Sequence, residues 1–388
     1  MTISAQVQLR PQVERSRPDF VMIGIIAALT ALGLLMILST SGPRLEAEGA
    51  ARTSQMIRQS TFVVLGVIAF FVATILSDRQ WRLLTPWVYG STLVLLLLVL
   101  VIGAIRSGAQ RWIPLGLVDL QPSEVAKPAV IMAIAALLAN ATEGKIKWSR
   151  IFKTFAIVVL PAVLIFLQPD LGTMLVFGFV TVVMLFAAGT DVRQIVILGV
   201  VALGALILVI EAGILADYQV DRLTGFLNPG EQTLSINYNQ NQSQIAIGGG
   251  GMFGQGLFEG TQTNLAFVPA QTTDFIFTAV AEQLGFLGAA TVIALYSLLI
   301  LRLLLIASAA RDRFGQLVAA GMAAMIAFHV FVNIGMTIGL LPVTGLPLPF
   351  MSFGGSFYIS TLFSLGVAHS VWTHRSRVPL GAVPGRAV

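Results

Sequence analysis

Cysteine is absent from all 388 residues, which excludes disulfides, thiolate catalysis and Cys-ligated metals. Charge is scarce too. Asp, Glu, Lys and Arg make up 11% of the chain, against about a quarter in a soluble protein. Too few remain to coat a globule. Histidine occurs only as His329, His369 and His374, too scattered for a zinc site. The run Gly248–Gly251 lacks the GK[ST] ending of a P-loop, so no nucleotide is expected, and the expectation is likewise of no haem and no zinc. Period-two alternation is missing, which removes a membrane barrel. No internal repeat of the inverted-transporter kind is visible.

What is present is apolar. Hydrophobic residues make up 56% of the chain and arrive in long unbroken runs. A spanning helix needs roughly 20 mostly apolar residues. Such runs fall at 20–40, 61–77, 87–105, 122–140, 151–168, 170–188, 192–212, 272–301, 316–340 and 353–373. They predict an all-α integral membrane protein of about ten transmembrane helices. A long extracytoplasmic loop, 213–271, lies between the seventh and eighth. The first run is too long for a signal-peptide core and reads as an uncleaved helix. The expected organisation is a tail at 1–19, one membrane domain at 20–373, and a second tail at 374–388.

The formal net charge is +5. Its cations lie in short connections rather than on one face, which argues against a nucleic-acid partner. With the N-terminus inside, most Lys and Arg fall on the cytoplasmic side, where the positive-inside rule wants them. Lys145, Lys147, Arg150 and Lys153 are one such group, and Arg302, Arg311 and Arg313 another. An even number of spans returns the C-terminus to the same side. Both termini are expected in the cytoplasm. The 213–271 loop carries apolar anchors (Ile245, Ile247, Met252, Phe253, Leu257, Phe258), which predict short amphipathic helices on the outer leaflet. Its glycine run reads as a flexible hinge.

An ionisable group at membrane depth is costly and tends to have a task. That rule selects Glu124, Lys127, Asp170, Glu211, Asp274 and Glu282, with His329 and Asn333 as polar companions. Most of the carboxylates fall near the outer ends of their helices. Asp274 opens the eighth span, where a reactive carboxylate and a helix N-cap are both open readings. Asp274, Thr278 and Glu282 follow at i, i+4 and i+8, one helix face. Glu124 and Lys127, at i and i+3 behind Pro122, form a pair that is structural or catalytic. Asp170 suits an N-cap of the sixth span. Arg111 can grip a phosphate beside the interfacial Trp112, and Arg222 is the one cation of the long loop.

These residues sit in segments that together resemble the SEDS family (shape, elongation, division and sporulation) across nearly the whole chain. The matching segments are Gly108–Ile113, Gln121–Lys127, Gln168–Thr173, Gln244–Gly248, Thr273–Phe277 and Ala281–Gly285. They continue with Asn333–Met336, Gly339–Phe350 and Ser352–Ser356. Gly256–Thr263 looks like the elongation branch rather than the division branch. Phe353 replaces a frequent Tyr, and Phe357 a frequent small residue.

The resemblance implies ten helices, an outward-facing cavity, and polymerisation of lipid II into peptidoglycan glycan strands at the plasma membrane. It implies a class B penicillin-binding protein, a transpeptidase, as partner besides the membrane lipids. Asp274 matches the family's essential outer-loop aspartate and becomes the expected base; Glu124 and Lys127 match its pair on the fourth span. The expected substrate-binding set is Glu124, Lys127, Arg111, Asp170, Glu282 and Arg222. Arg111, Lys127 and a divalent cation (Mg or Mn) would offset diphosphate charge. A lipid II flippase and a non-enzymatic scaffold for the transpeptidase are the competing readings.

Overall fold

The computed structural model describes residues 17–106, 109–116, 119–140, 146–213, 220 and 235–375. Arg222 lies outside these residues. The apolar runs fold as α1 (Phe20–Ala47), α2 (Ser54–Ile75), α3 (Asp78–Ile102), α4 (Pro122–Ala139), α5 (Trp148–Phe166), α6 (Leu171–Ala187) and α7 (Val192–Glu211). The outer loop contributes α8 (Ser235–Gly249) and α9 (Thr261–Asn264). Then follow α10 (Ile276–Ser308), α11 (Arg313–Thr337) and α12 (Gly355–Thr373). Eight of these helices are long and apolar enough to cross a membrane: α1 to α5, α7, α10 and α11. Helix α6 is apolar but has 17 residues.

Several helices outrun their apolar cores. Helix α3 begins nine residues before the predicted 87, because Ser77 and Gln80 form a capping box that starts the helix in polar sequence. Arg79 and Arg82, expected in a loop, therefore occupy its first two turns. The fold is helical with one local exception. Between α3 and α4 run β1 (Ala104–Arg106), β2 (Ala109–Pro114) and β3 (Asp119–Leu120), an antiparallel sheet in that order. Strands this short carry too little alternation to be read against the neighbouring apolar runs.

The eighth span is not one long tilted helix. At Gly285 the backbone turns to φ 66° and ψ −165°, which breaks α10 into a short first segment and a long second one. Gly254 packs against the break, and a Cβ on Gly285 would stand 2.3 Å from the Gly254 nitrogen. The loop backbone pairs across it: Gln255 N donates to the Glu282 carbonyl at 3.0 Å and Phe286 N to Gly251 at 2.9 Å. The glycine run is thus a packed seam and not a hinge. Of the predicted loop anchors, Ile247 packs against the core, whereas Ile245, Met252 and Phe253 are exposed.

Helices α4 and α11 form the centre. Their most apolar stretches are 78% buried inside the protein, against 0% for α7 at the periphery. Polar side chains on α4 and α11 are therefore surrounded by protein and need partners there.

Candidate active site

Gln121 is extended and Pro122 opens α4, so Ser123, Glu124 and Lys127 lie in the first turns of a central helix. Lys127 Nζ donates to both Glu124 oxygens, at 2.9 and 2.8 Å, and both side chains are buried. Its third contact is His329 Nε2 at 3.3 Å. An ammonium only donates, so Nε2 accepts and the ring proton sits on Nδ1, which donates to the Pro347 carbonyl at 3.1 Å. The Phe357 ring closes the cluster, its centroid 5.2 Å from Nζ. All three ammonium protons are spoken for. Lys127 serves as the ion pair of α4 here, not as a free counter-charge for diphosphate.

His329 lies one turn before Asn333 on α11, so the two share a face. Asn333 Nδ2 donates to the carbonyls of Asp274 and Leu346, both at 2.7 Å. The turn that carries Asp274 is held from the other side as well: Phe353 N donates to the Thr272 carbonyl at 3.0 Å and Ser352 Oγ to that of Thr273 at 2.5 Å. Asp274 itself is half-buried, in a turn ahead of α10. Phe275 occupies the N-cap position without a side-chain cap bond. The N-cap reading of Asp274 therefore fails. So does the shared face with Thr278 and Glu282, because Asp274 precedes the helix.

Asp170 does cap its helix. Its Oδ1 accepts from Thr173 N at 3.2 Å, and its Oδ2 from Thr173 Oγ1 at 3.0 Å and Ser123 Oγ at 3.3 Å. The last bond ties α6 to the first turn of α4. Arg111, on β2, donates from Nε to the Gln168 carbonyl at 2.6 Å and from Nη2 to that of Pro169. It clamps the turn before Asp170 and keeps further N–H groups for other use.

Glu282 stands apart. It is wholly buried and accepts from Gln262 N at 2.6 Å, Thr263 N at 3.1 Å and Thr263 Oγ1 at 2.6 Å. These are the open donors at the start of α9, so the carboxylate caps a helix of the outer loop. The expected substrate contact is replaced by a loop anchor. Neighbouring Gln283 acts alike, its Oε1 accepting from Ser39 Oγ at 2.8 Å and Phe258 N at 2.9 Å. Ser123, Gln283 and Ser352 fall within the matching segments Gln121–Lys127, Ala281–Gly285 and Ser352–Ser356, but nothing local to them shows their partners, which are distant in the chain.

Among the described residues no cluster of three or more His, Asp or Glu could hold a metal. The oxygens of Glu124 and Asp170 already serve Lys127, Thr173 and Ser123. Among the described residues the donor set builds no divalent-cation site.

The geometry defines a multi-pass helical membrane protein with a polar cluster gathered at one end of its central helices. The chain belongs to the family of cell cycle proteins FtsW, RodA and SpoVE, whose model matches residues 19–377. Peptidoglycan glycosyltransferase MrdB of Escherichia coli (strain K12) is 37% identical over 358 residues, covering 92% of this chain and 94% of that one. Stage V sporulation protein E of Bacillus subtilis (strain 168) is 36% identical, covering 92% and 98%. Among solved structures, Thermus thermophilus rod shape determining protein RodA aligns with a TM-score of 0.69 at 31% identity, over 93% and 98% of the two chains. A chain from work on coordination of polymerization and crosslinking by a peptidoglycan synthase complex aligns with a TM-score of 0.78 at 32% identity, over 92% and 98%.

Proposed function

We infer that this chain polymerises lipid II into glycan strands outside the cytoplasmic membrane, with Asp274 as the base. It is a peptidoglycan glycosyltransferase of the SEDS family, set in the inner membrane by its apolar helices. The observation that carries the site reading is the position of Asp274. Its turn is held by Asn333, one turn along α11 from the His329–Lys127–Glu124 cluster. A half-buried carboxylate on a braced turn suits proton transfer by a positioned group.

In the proposed step, Asp274 takes the proton of an acceptor sugar hydroxyl as its oxygen attacks the anomeric carbon of the donor. The bond from that carbon to the diphosphate oxygen breaks, and the diphosphate leaves with the electron pair. Attack on an α-linked donor gives a β-linked product, so transfer is inverting and no covalent sugar–enzyme intermediate forms. The spare guanidinium donors of Arg111 would offset the negative charge that develops. Glu124 and Lys127 hold α4 in place through their ion pair, and Asp170 places Ser123 beside them.

The elongation branch is the favoured role, on the strength of Gly256–Thr263. A class B transpeptidase is the favoured partner, which agrees with the synthase-complex likeness. The count of cations supports a reading with both termini in the cytoplasm and the site outside. The inner half of α4, from Val130 to Leu138, is apolar, which does not suit the polar path a flippase would need. Purified protein with labelled lipid II, with and without the transpeptidase, tests the reading. Glycan chains from the protein alone support it. Lipid II crossing vesicles without polymer would replace it with a flippase, and polymer only from the partner with a scaffold.

A further inference from the structure

Helix α8 has two polar faces with different fates. One caps α11. Gln240 Nε2 donates to the carbonyls of Met336 and Leu341, at 3.1 and 3.2 Å, Ser243 Oγ to Thr337 at 2.8 Å, and Gln244 Nε2 to Ile338 at 3.2 Å. Those carbonyls include the orphans that a helix C-terminus leaves open. Ser243 Oγ also meets Thr278 Oγ1 at 2.6 Å, four residues past Asp274. Helix α8 is thus fixed to α11, which braces the Asp274 turn, and to α10, which follows that turn.

The second face has no part in that capping. Tyr238, Asn241, Gln242 and Ile245 follow at i, i+3, i+4 and i+7, one stripe along the helix. With Gln244 they line a cavity of about 610 Å³. Tyr238 is 44% exposed and Ile245 55%, so the stripe is open. From Ser235 to Gly249 the helix carries no Asp, Glu, Lys or Arg. An anionic diphosphate or a charged peptide would find no ionic partner among the described lining residues. An uncharged sugar chain would find several: amides that donate and accept to hydroxyl and acetamido groups, and a phenol ring for a sugar's C–H face. The volume is in the range of small-ligand sites.

We propose that this α8 cavity is a subsite for the growing glycan strand, holding sugars remote from the reacting diphosphate. The assignment rests on the glycosyltransferase reading above. The absence of charge on the stripe favours the strand over the donor headgroup, whose diphosphate lies next to its sugar.

The test uses the full-length protein in detergent with labelled lipid II, and N-acetylchitotetraose as a soluble binding probe. Tyr238→Ala combined with Gln242→Ala should shorten the glycan product several-fold and weaken tetraose binding about tenfold. Gln242→Glu, which puts a charge in the cavity at constant volume, should also shorten the product and so guards against a folding defect. Wild-type chain lengths with unchanged tetraose binding would overturn the proposal. A raised KM for lipid II with full-length strands would overturn it in favour of the donor headgroup. An effect seen only with the transpeptidase present would overturn it in favour of a protein contact. If the wild type makes no polymer, the polymerase reading falls, and tetraose binding alone decides the cavity.

Discussion

Replacing Lys127 by Met removes the one charged partner that Glu124 has among the described residues, at nearly constant volume. Glu124 has side-chain exposure of 6%, and Lys127 supplies the donors to both its oxygens. Breaking a buried pair from one side costs about 3–5 kcal/mol, since the remaining charge is left without compensation. The folded-to-unfolded ratio should fall by roughly two to four powers of ten, at about 1.4 kcal/mol per decade. Neutralising both groups, as Glu124→Gln with Lys127→Met, removes that penalty and should bring stability back to within about 1–2 kcal/mol of wild type. Unfolding in detergent, followed by heat or denaturant, reads the difference. Polymerisation should fall in the single variant along with its folded fraction. A Lys127→Met protein within about 1 kcal/mol of wild type would refute a buried, charged pair.

Three further outcomes follow from the same contacts. Glu282→Gln leaves the α9 donors with a neutral acceptor and should loosen the outer loop by about 1.5–3 kcal/mol, read as faster proteolysis between 250 and 263. Gly285→Ala should destabilise the protein by more than 1 kcal/mol in thermal unfolding, because φ is 66° and the Cβ would meet Gly254. Asn333→Leu frees the Asp274 turn at one point and should lower kcat more than it raises KM; equal stability and unchanged kcat would show that Ser352 and Phe353 suffice.

The membrane spans were legible because apolar length is a local property, and the helix cores fall where the runs do. Glu124 and Lys127 were legible as a pair because their contact spans three residues of one helix. The Asp170 cap was legible because the residue stands at the start of the sixth apolar run, a local cue for an N-cap. Other features were not. Gly285 sits in an apolar run that reads as continuous helix, and only Gly254, far along the chain, reveals the break. Glu282 looked like a substrate ligand because its true partner, the start of α9, is distant in sequence, and the clamp of Arg111 on the turn at Gln168 was hidden for the same reason. A buried charge announces that it needs a partner, not whether that partner is protein or substrate.

The most direct measurement is glycan synthesis from purified lipid II by Asp274→Ala beside the wild type, at matched membrane insertion. The account predicts polymer from the wild type and none from the variant, with no sugar trapped covalently on either. Polymer from the variant at a rate near wild type would remove Asp274 from the chemistry and contradict the account.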